Sequence, residues 1–425
     1  MGFKWFDGYS WGVSFLVTLV LMLLLCVCVS PMVDYCGLSA VSGFLCFDTV
    51  SFYLIILSSL LVLSLLFFVK DLSSVSLVML ILSVVCSVLS YCCVNSFWFW
   101  CFYELSILSL LLLLIVESPY SERYVASWYL LGYSVLSSLP MLLCLVYLSL
   151  RLGTFNFGCW SLWEGGSVDC VVLVVLGVLF IVKVPLTPFH VWLPLVHAEA
   201  TSPVSVCLSG YVMKLGILGL CRICSWVLPD FVFTVPYLVV CLVSSFLFFF
   251  GACCELDGKR WLAFMSLSHI VIACVCLGEF EYEGVGLCLL YCLGHGLSAA
   301  VTFIFLWVSY EITGSRNWLV LKSVVWSGPL FSCIGVFCLC SVMSFPPTVQ
   351  FFCEVYAVVK SFWFSGLLFF LLGLYLFISG LVPLFLICVF LVRHISLRCC
   401  VGEVFGLIVP IVFLLCWCVI LFLVG

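Results

Sequence analysis

Apolar residues run in blocks of about 20 along this chain, separated by short clusters of charge, proline and glycine. The ten-residue alternating pattern of a membrane barrel is absent. A helix needs about 20 apolar residues to cross the roughly 30 Å hydrocarbon layer. The blocks therefore predict helical crossings near 10–30, 49–69, 72–94, 96–117, 124–150, 171–200, 203–222, 231–254, 260–278, 284–310, 324–365, 367–392 and 403–424. Residues 36–47 form a further apolar stretch, but twelve residues rise only about 18 Å as a helix and fall short of a crossing. The expectation is an all-α polytopic membrane protein of about 13 transmembrane helices, within a range of 12 to 14.

Two predicted spans exceed one straight crossing and contain prolines. Residues 171–200 carry Pro185, Pro188 and Pro194, and residues 324–365 carry Pro346 and Pro347. Each is the fourth helix of a five-helix block, and an odd number of crossings inverts the second block relative to the first. Matching interruptions in two inverted halves point to a transport site, because a broken helix frees backbone groups that only a buried polar cavity can satisfy. The predicted organisation is N-terminal helices over 1–71, a first repeat over 72–230, a second over 231–392, and a C-terminal helix over 393–425.

Composition sharpens the picture. Of 425 residues 67% are hydrophobic and 8% charged, against about 25% charged in soluble domains. The net charge of -5 is spread out, with no basic stripe for nucleic acid and no polybasic anchor. Other membrane helices and lipids are the implied partners. The first run follows Lys4 and Asp7 and is too long for a secretory signal core, so it reads as a retained helix. Cysteines number 30 but lack paired hooks with histidine at zinc spacing, and read as small apolar fillers. The abundance of Phe, Val, Leu, Cys and Gly suits the T- and G-rich codons of an organellar genome.

With 13 crossings, one membrane face collects Lys4, Lys70, Arg123, Lys259, Arg260, Arg316, Lys322, Arg393 and Arg398, and the other Arg151, Arg222 and Lys360. Nine against three agrees with the enrichment of retained loops in basic residues and puts the N-terminus on the positive face. The C-terminus falls opposite, with the acidic loop at 279–283.

Some ionisable residues fall inside the spans. Glu104 lies near the middle of its run, Lys183 follows twelve apolar residues, and Lys214 is twelve residues into its span. His269 and His295 are mid-span, and Glu354 follows the Pro346–Pro347 break. A central charge costs about 2.5 to 3.5 kcal/mol on insertion scales, so several together argue for a use. Glu104 and Lys183 can neutralise one another. Lys214 has no such partner in reach of the sequence, and low dielectric disfavours its charged form, making it a group that can release and retake a proton. His190, His197, His269 and His295 could relay protons between the lysines and Glu354. No histidine pair has metal-binding helical spacing, and no glycine-rich phosphate loop or nucleophile elbow occurs, so neither a metal nor a cofactor is expected on this chain. The residues alone leave open a proton pump, a structural membrane subunit, and a stand-alone cation/proton antiporter subunit.

The stretches VKVPLTPFHVWLPLVHAEA, SGYVMKLGILG, LDGKRWLAFMSLSHI, GHGLSAAVTFIF, SYEITGSRN and FPPTVQFFCE together resemble the antiporter-like proton-pumping subunits of respiratory complex I, NADH:ubiquinone oxidoreductase. The similarity runs in family order from about residue 48 to 365. It implies that Glu104 pairs with Lys183, that Lys214 is the central lysine, that His269 and His295 lie on the axis, and that Glu354 is the terminal acid. A glutamate at that last position favours the chain 4 type over chains 2 and 5. The resemblance further implies the mitochondrial inner membrane, with the N-terminus in the matrix and the C-terminus in the intermembrane space. Its partners would be neighbouring complex I membrane subunits, with FMN, Fe–S clusters and ubiquinone on other subunits. The chain departs from the family in being one helix short of 14 before Asp48, and in reading His197-Ala198-Glu199-Ala200-Thr201 where the family has an HVEAP-like block.

Overall fold

The computed structural model describes residues 40–41, 44–68, 72–160, 167–224, 231–279, 281–325, 328–392 and 405–424. The expected first crossing at 10–30, together with Lys4, Lys70, Arg393, Arg398 and the acidic side chains after Glu279, lies outside the described residues. Within them, nine helices are long and apolar enough to cross a membrane, from Thr49–Leu66 to Gly366–Leu391. Their ends agree with the apolar blocks to within a few residues. Residues 40–41 and 46–47 pair as a two-residue antiparallel ribbon, so the short apolar stretch at 36–47 does not continue as a helix.

Sparse polar residues stand where helices begin, because the first N–H groups of a helix have no internal partner. Asp48 accepts from the Ser51 N–H, and Ser51 returns a bond to the Asp48 N–H. Asn95 accepts from Phe97 and Trp98. Both long spans break at proline as expected. The first runs as Ser167–Lys183 and resumes as Trp192–Glu199. The second differs in its start: Trp318–Val325 is a helix of its own, and the crossing begins at Pro329 rather than at residue 324. Gly328 is extended, and Pro329, lacking an N–H, suits a first helical turn. This crossing pauses after Val342 and resumes as Val349–Phe364.

Internal repetition, faint in residue identity, is plain in backbone hydrogen bonding. In the first block Ser96 N–H donates to Phe155 O and Phe157 N–H to Val94 O, around a bridge between Asn95 and Asn156. In the second, Gly258 donates to Arg316 O and Trp318 to Leu256 O, around a bridge between Asp257 and Asn317. Gly153 and Gly314, each ending the third helix of its block, have φ of 69° and 67°, a left-handed conformation that favours glycine.

The two bridges lie at opposite ends of the bundle. Asn95 sits beside the end where Arg222 joins Asp48 and the Tyr91 carbonyl. Asp257 sits at the end where Arg316 binds the Ala198 carbonyl and Ser118 the Glu199 carbonyl. These contacts link helix ends that alternate crossing puts on one face. The blocks are therefore inverted.

Three helices form the centre. The spans in Ser202–Cys224, Gly258–Glu279 and Gly284–Thr313 are 94–100% buried, whereas the other long spans are 33–56% buried and turn apolar faces outward. The sequence allows this burial through small residues. A Cβ on Gly216 would lie 2.5 Å from Val184 Cγ2 and 3.2 Å from the Phe180 carbonyl oxygen, so glycine lets the central helix press against the first broken one.

Candidate functional site

Lys183 is the last residue of Ser167–Lys183. The chain breaks there because Pro185 cannot continue the helix, and the freed carbonyls are taken by side chains. Trp192 Nε1–H donates to Val182 O at 3.2 Å, and the Tyr237 hydroxyl to Thr187 O at 2.9 Å. The Lys183 ammonium forms a buried ion pair with Glu104 Oε1 and lies 4.2 Å from the centre of the Tyr103 ring. Both partners are at least nine-tenths shielded from solvent. A cavity of about 10 Å³ beside Lys183 is lined by Trp192, Ser134 and Val212 among others.

The span Ser202–Cys224 carries Lys214, which is wholly buried. Its ammonium donates to the Ser209 carbonyl, and among the described residues no carboxylate pairs with it. The sequence Leu208–Val212 is wound as a π-helix, in which the Met213 N–H reaches back to Leu208 O. An α-helix would have joined Met213 to Ser209, so the wider turn releases the carbonyl that Lys214 uses.

Beyond Lys214 the buried histidines follow. His295 is near enough to Lys214 and His269 for both to act on it electrostatically, and the two imidazole centres are 5.6 Å apart. His269 Nδ1 lies 3.6 Å from Glu354 Oε1. Glu354 stands five residues past the start of Val349–Phe364 and is surrounded by donors: Ser344 Oγ at 2.9 Å, Gln350 Nε2 at 3.1 Å and the Tyr291 hydroxyl at 3.3 Å. Both ring nitrogens of His295, Nε2 of His269 and Oε2 of Glu354 are buried without a partner among the described residues. Atoms of this kind are what ordered waters bridge in protein interiors.

The structure thus brings six of the predicted residues, Glu104, Lys183, Lys214, His295, His269 and Glu354, into one buried series. His197 branches from it. Fully buried, with both ring nitrogens unpartnered among the described residues, it stacks on Phe303 at 5.0 Å within electrostatic range of Lys214 and Lys259. His190 stands apart, half-buried against the Phe248 ring at 4.7 Å.

Sequence reading missed several neighbours. Lys259 is no loop cation: it is 4% exposed, with its ammonium on the Ala200 carbonyl at 2.8 Å, capping the C-terminus of Trp192–Glu199 together with Arg316. Gln350, Tyr291, Ser344 and Tyr375 enclose Glu354 and His269. Of these only Gln350, one helical turn before Glu354, carried a signal in the sequence.

Comparison with known proteins gives the family and the fold. Residues 93–381 match the family described as NADH:quinone oxidoreductase/Mrp antiporter, TM. NADH-ubiquinone oxidoreductase chain 4 of Ceratitis capitata is 30% identical over 330 residues, covering 75% of this chain and 72% of that protein. The chain 4 protein of Albinaria caerulea is 27% identical over 323 residues, covering 74% and 70%. Among solved structures, a chain of respiratory complex I from Thermus thermophilus with bound NADH superposes with a TM-score of 0.81 at 19% identity, over 97% of this chain and 90% of that one. A chain of the Mrp complex from Dietzia gives 0.76 at 16% identity, over 98% and 90%.

Proposed function

Because this chain belongs to the NADH:quinone oxidoreductase/Mrp antiporter transmembrane family and to the chain 4 group of NADH-ubiquinone oxidoreductase within it, we propose that it carries protons across the membrane as a subunit of complex I. The observation that carries this reading is the buried series from Glu104 and Lys183 through Lys214, His295 and His269 to Glu354. It runs through the three most enclosed helices, where lone charges are least tolerable unless used.

A charge change in a neighbouring subunit draws Glu104 away from Lys183. The ammonium, left in low dielectric, loses its stabiliser and gives up its proton toward Lys214. Lys214, held by a carbonyl dipole rather than a carboxylate, first passes its own proton to His295, His269 and Glu354 for release, and as the neutral amine then accepts the proton from Lys183. His197 joins this path at Lys214, and His190, whose Nδ1 has no partner among the described residues, is not used.

Driving one proton against the field costs about 2.3 kcal/mol per 100 mV. Breaking a buried ion pair is worth about 3–5 kcal/mol. The pair can therefore supply a step of the required size. The π turns and proline breaks supply carbonyls whose partners can exchange as the charges move.

NADH oxidation and its redox centres belong to other subunits in this reading. The membrane is the mitochondrial inner membrane, with the N-terminus toward the matrix. Lys214→Met in the assembled complex tests the proposal. Quinone reduction continues while proton pumping is impaired if Lys214 carries protons, whereas normal pumping with normal assembly leaves only a structural role. Co-purification with NADH-oxidising subunits separates this reading from that of a stand-alone antiporter subunit.

A further inference from the structure

At its far end the series has a gap that its acids and bases do not close. His269 Nδ1 and Glu354 Oε1 are 3.6 Å apart, beyond hydrogen-bonding reach. The near neighbour of Nδ1 is instead the Tyr375 hydroxyl, at 2.7 Å, carried on Gly366–Leu391. The Tyr375 and Tyr291 hydroxyls lie close enough to act on one another, and Tyr291 reaches Glu354 Oε1 at 3.3 Å. Gln350 also touches both ends, at 3.4 Å from Nδ1 and 3.1 Å from Oε1, but an amide N–H donates without taking up a proton and so only holds the pair in place.

We infer that Tyr375 and Tyr291 are proton-carrying residues that link His269 to Glu354. The inference rests on the proton-translocating reading above. In the transfer, protonated His269 breaks its Nδ1–H bond and gives the proton to the Tyr375 oxygen. The Tyr375 proton passes to the Tyr291 oxygen, and the Tyr291 proton to Glu354. His269 ends neutral, Glu354 ends protonated, and both hydroxyls remain intact with their hydrogen bonds reversed. Rotation of the two hydroxyls resets the path.

The geometry also contains a gate. Tyr291 has one hydroxyl proton and two acceptors, the His269 carbonyl at 2.9 Å and Glu354 at 3.3 Å. While that proton rests on the carbonyl the link is open-circuit; turning it to Glu354 closes it. Gln350 and the surrounding side chains are all but completely buried, so a bypass through bulk water is shut out.

The test uses the assembled complex in sealed vesicles, with Tyr375→Phe and Tyr291→Phe compared against Glu354→Gln. The expected result is normal assembly, continued NADH oxidation, and proton delivery slowed about 10²-fold, the scale of losing one proton-transfer group. Tyrosine variants that pump as the parent does, while Glu354→Gln does not, overturn the tyrosine link and leave the wider reading standing. If Glu354→Gln also pumps normally, both fall. Should Tyr375→Phe fail to assemble, a ring-fluorinated tyrosine at that position keeps the shape but acidifies the hydroxyl. Its pumping rate then changes its pH dependence if the hydroxyl carries the proton, and an unchanged profile overturns the inference.

Discussion

Removing the charge of Glu104 while keeping its shape, as Glu104→Gln, strikes the ion pair from which transfer starts. The Lys183 ammonium, 4% exposed, would keep the Tyr103 ring at 4.2 Å and lose its carboxylate. The ring contact is present in both forms and offsets nothing, while breaking a buried pair costs about 3–5 kcal/mol. That loss either destabilises the fold or is relieved by Lys183 shedding its proton.

The double variant Glu104→Gln, Lys183→Met separates these outcomes, since an apolar replacement for the stranded charge restores stability without restoring transfer. Thermal unfolding of the purified complex and protons moved per NADH oxidised in vesicles are the two measurements. The single variant should unfold at lower temperature or hold Lys183 neutral, and should not pump. The double variant should recover the unfolding temperature and still not pump. Full pumping by Glu104→Gln with normal assembly would refute the idea that this pair starts proton transfer.

Further outcomes follow from packing. Gly216→Ala places a methyl 2.5 Å from Val184 Cγ2 and close to backbone, and overpacking of this kind costs about 1–3 kcal/mol, visible as earlier thermal unfolding. Lys259→Gln removes the charged donor on the Ala200 carbonyl; a loss of about 1–3 kcal/mol is expected in the same assay, and unchanged stability would show that the carbonyl finds another donor.

The sequence by itself determined the membrane setting, nearly every helix, both proline breaks and the charged residues at the site. Each of these follows from a cost that a single chain segment incurs alone: apolar length against bilayer thickness, a missing proline N–H, a charge deep in hydrocarbon. Even Glu104 and Lys183, 79 positions apart, could be matched because each needed an opposite charge. Tertiary structure alone decided what depends on distances between segments. It buried Lys259, which had read as a loop cation, left His190 at the edge, and gathered Tyr375, Tyr291 and Gln350 around Glu354. A tyrosine in an apolar run costs little wherever it sits, so its sequence carries no trace of its neighbours; only the packing of Gly366–Leu391 against Val235–Cys254 and Val349–Phe364 brings its hydroxyl to His269.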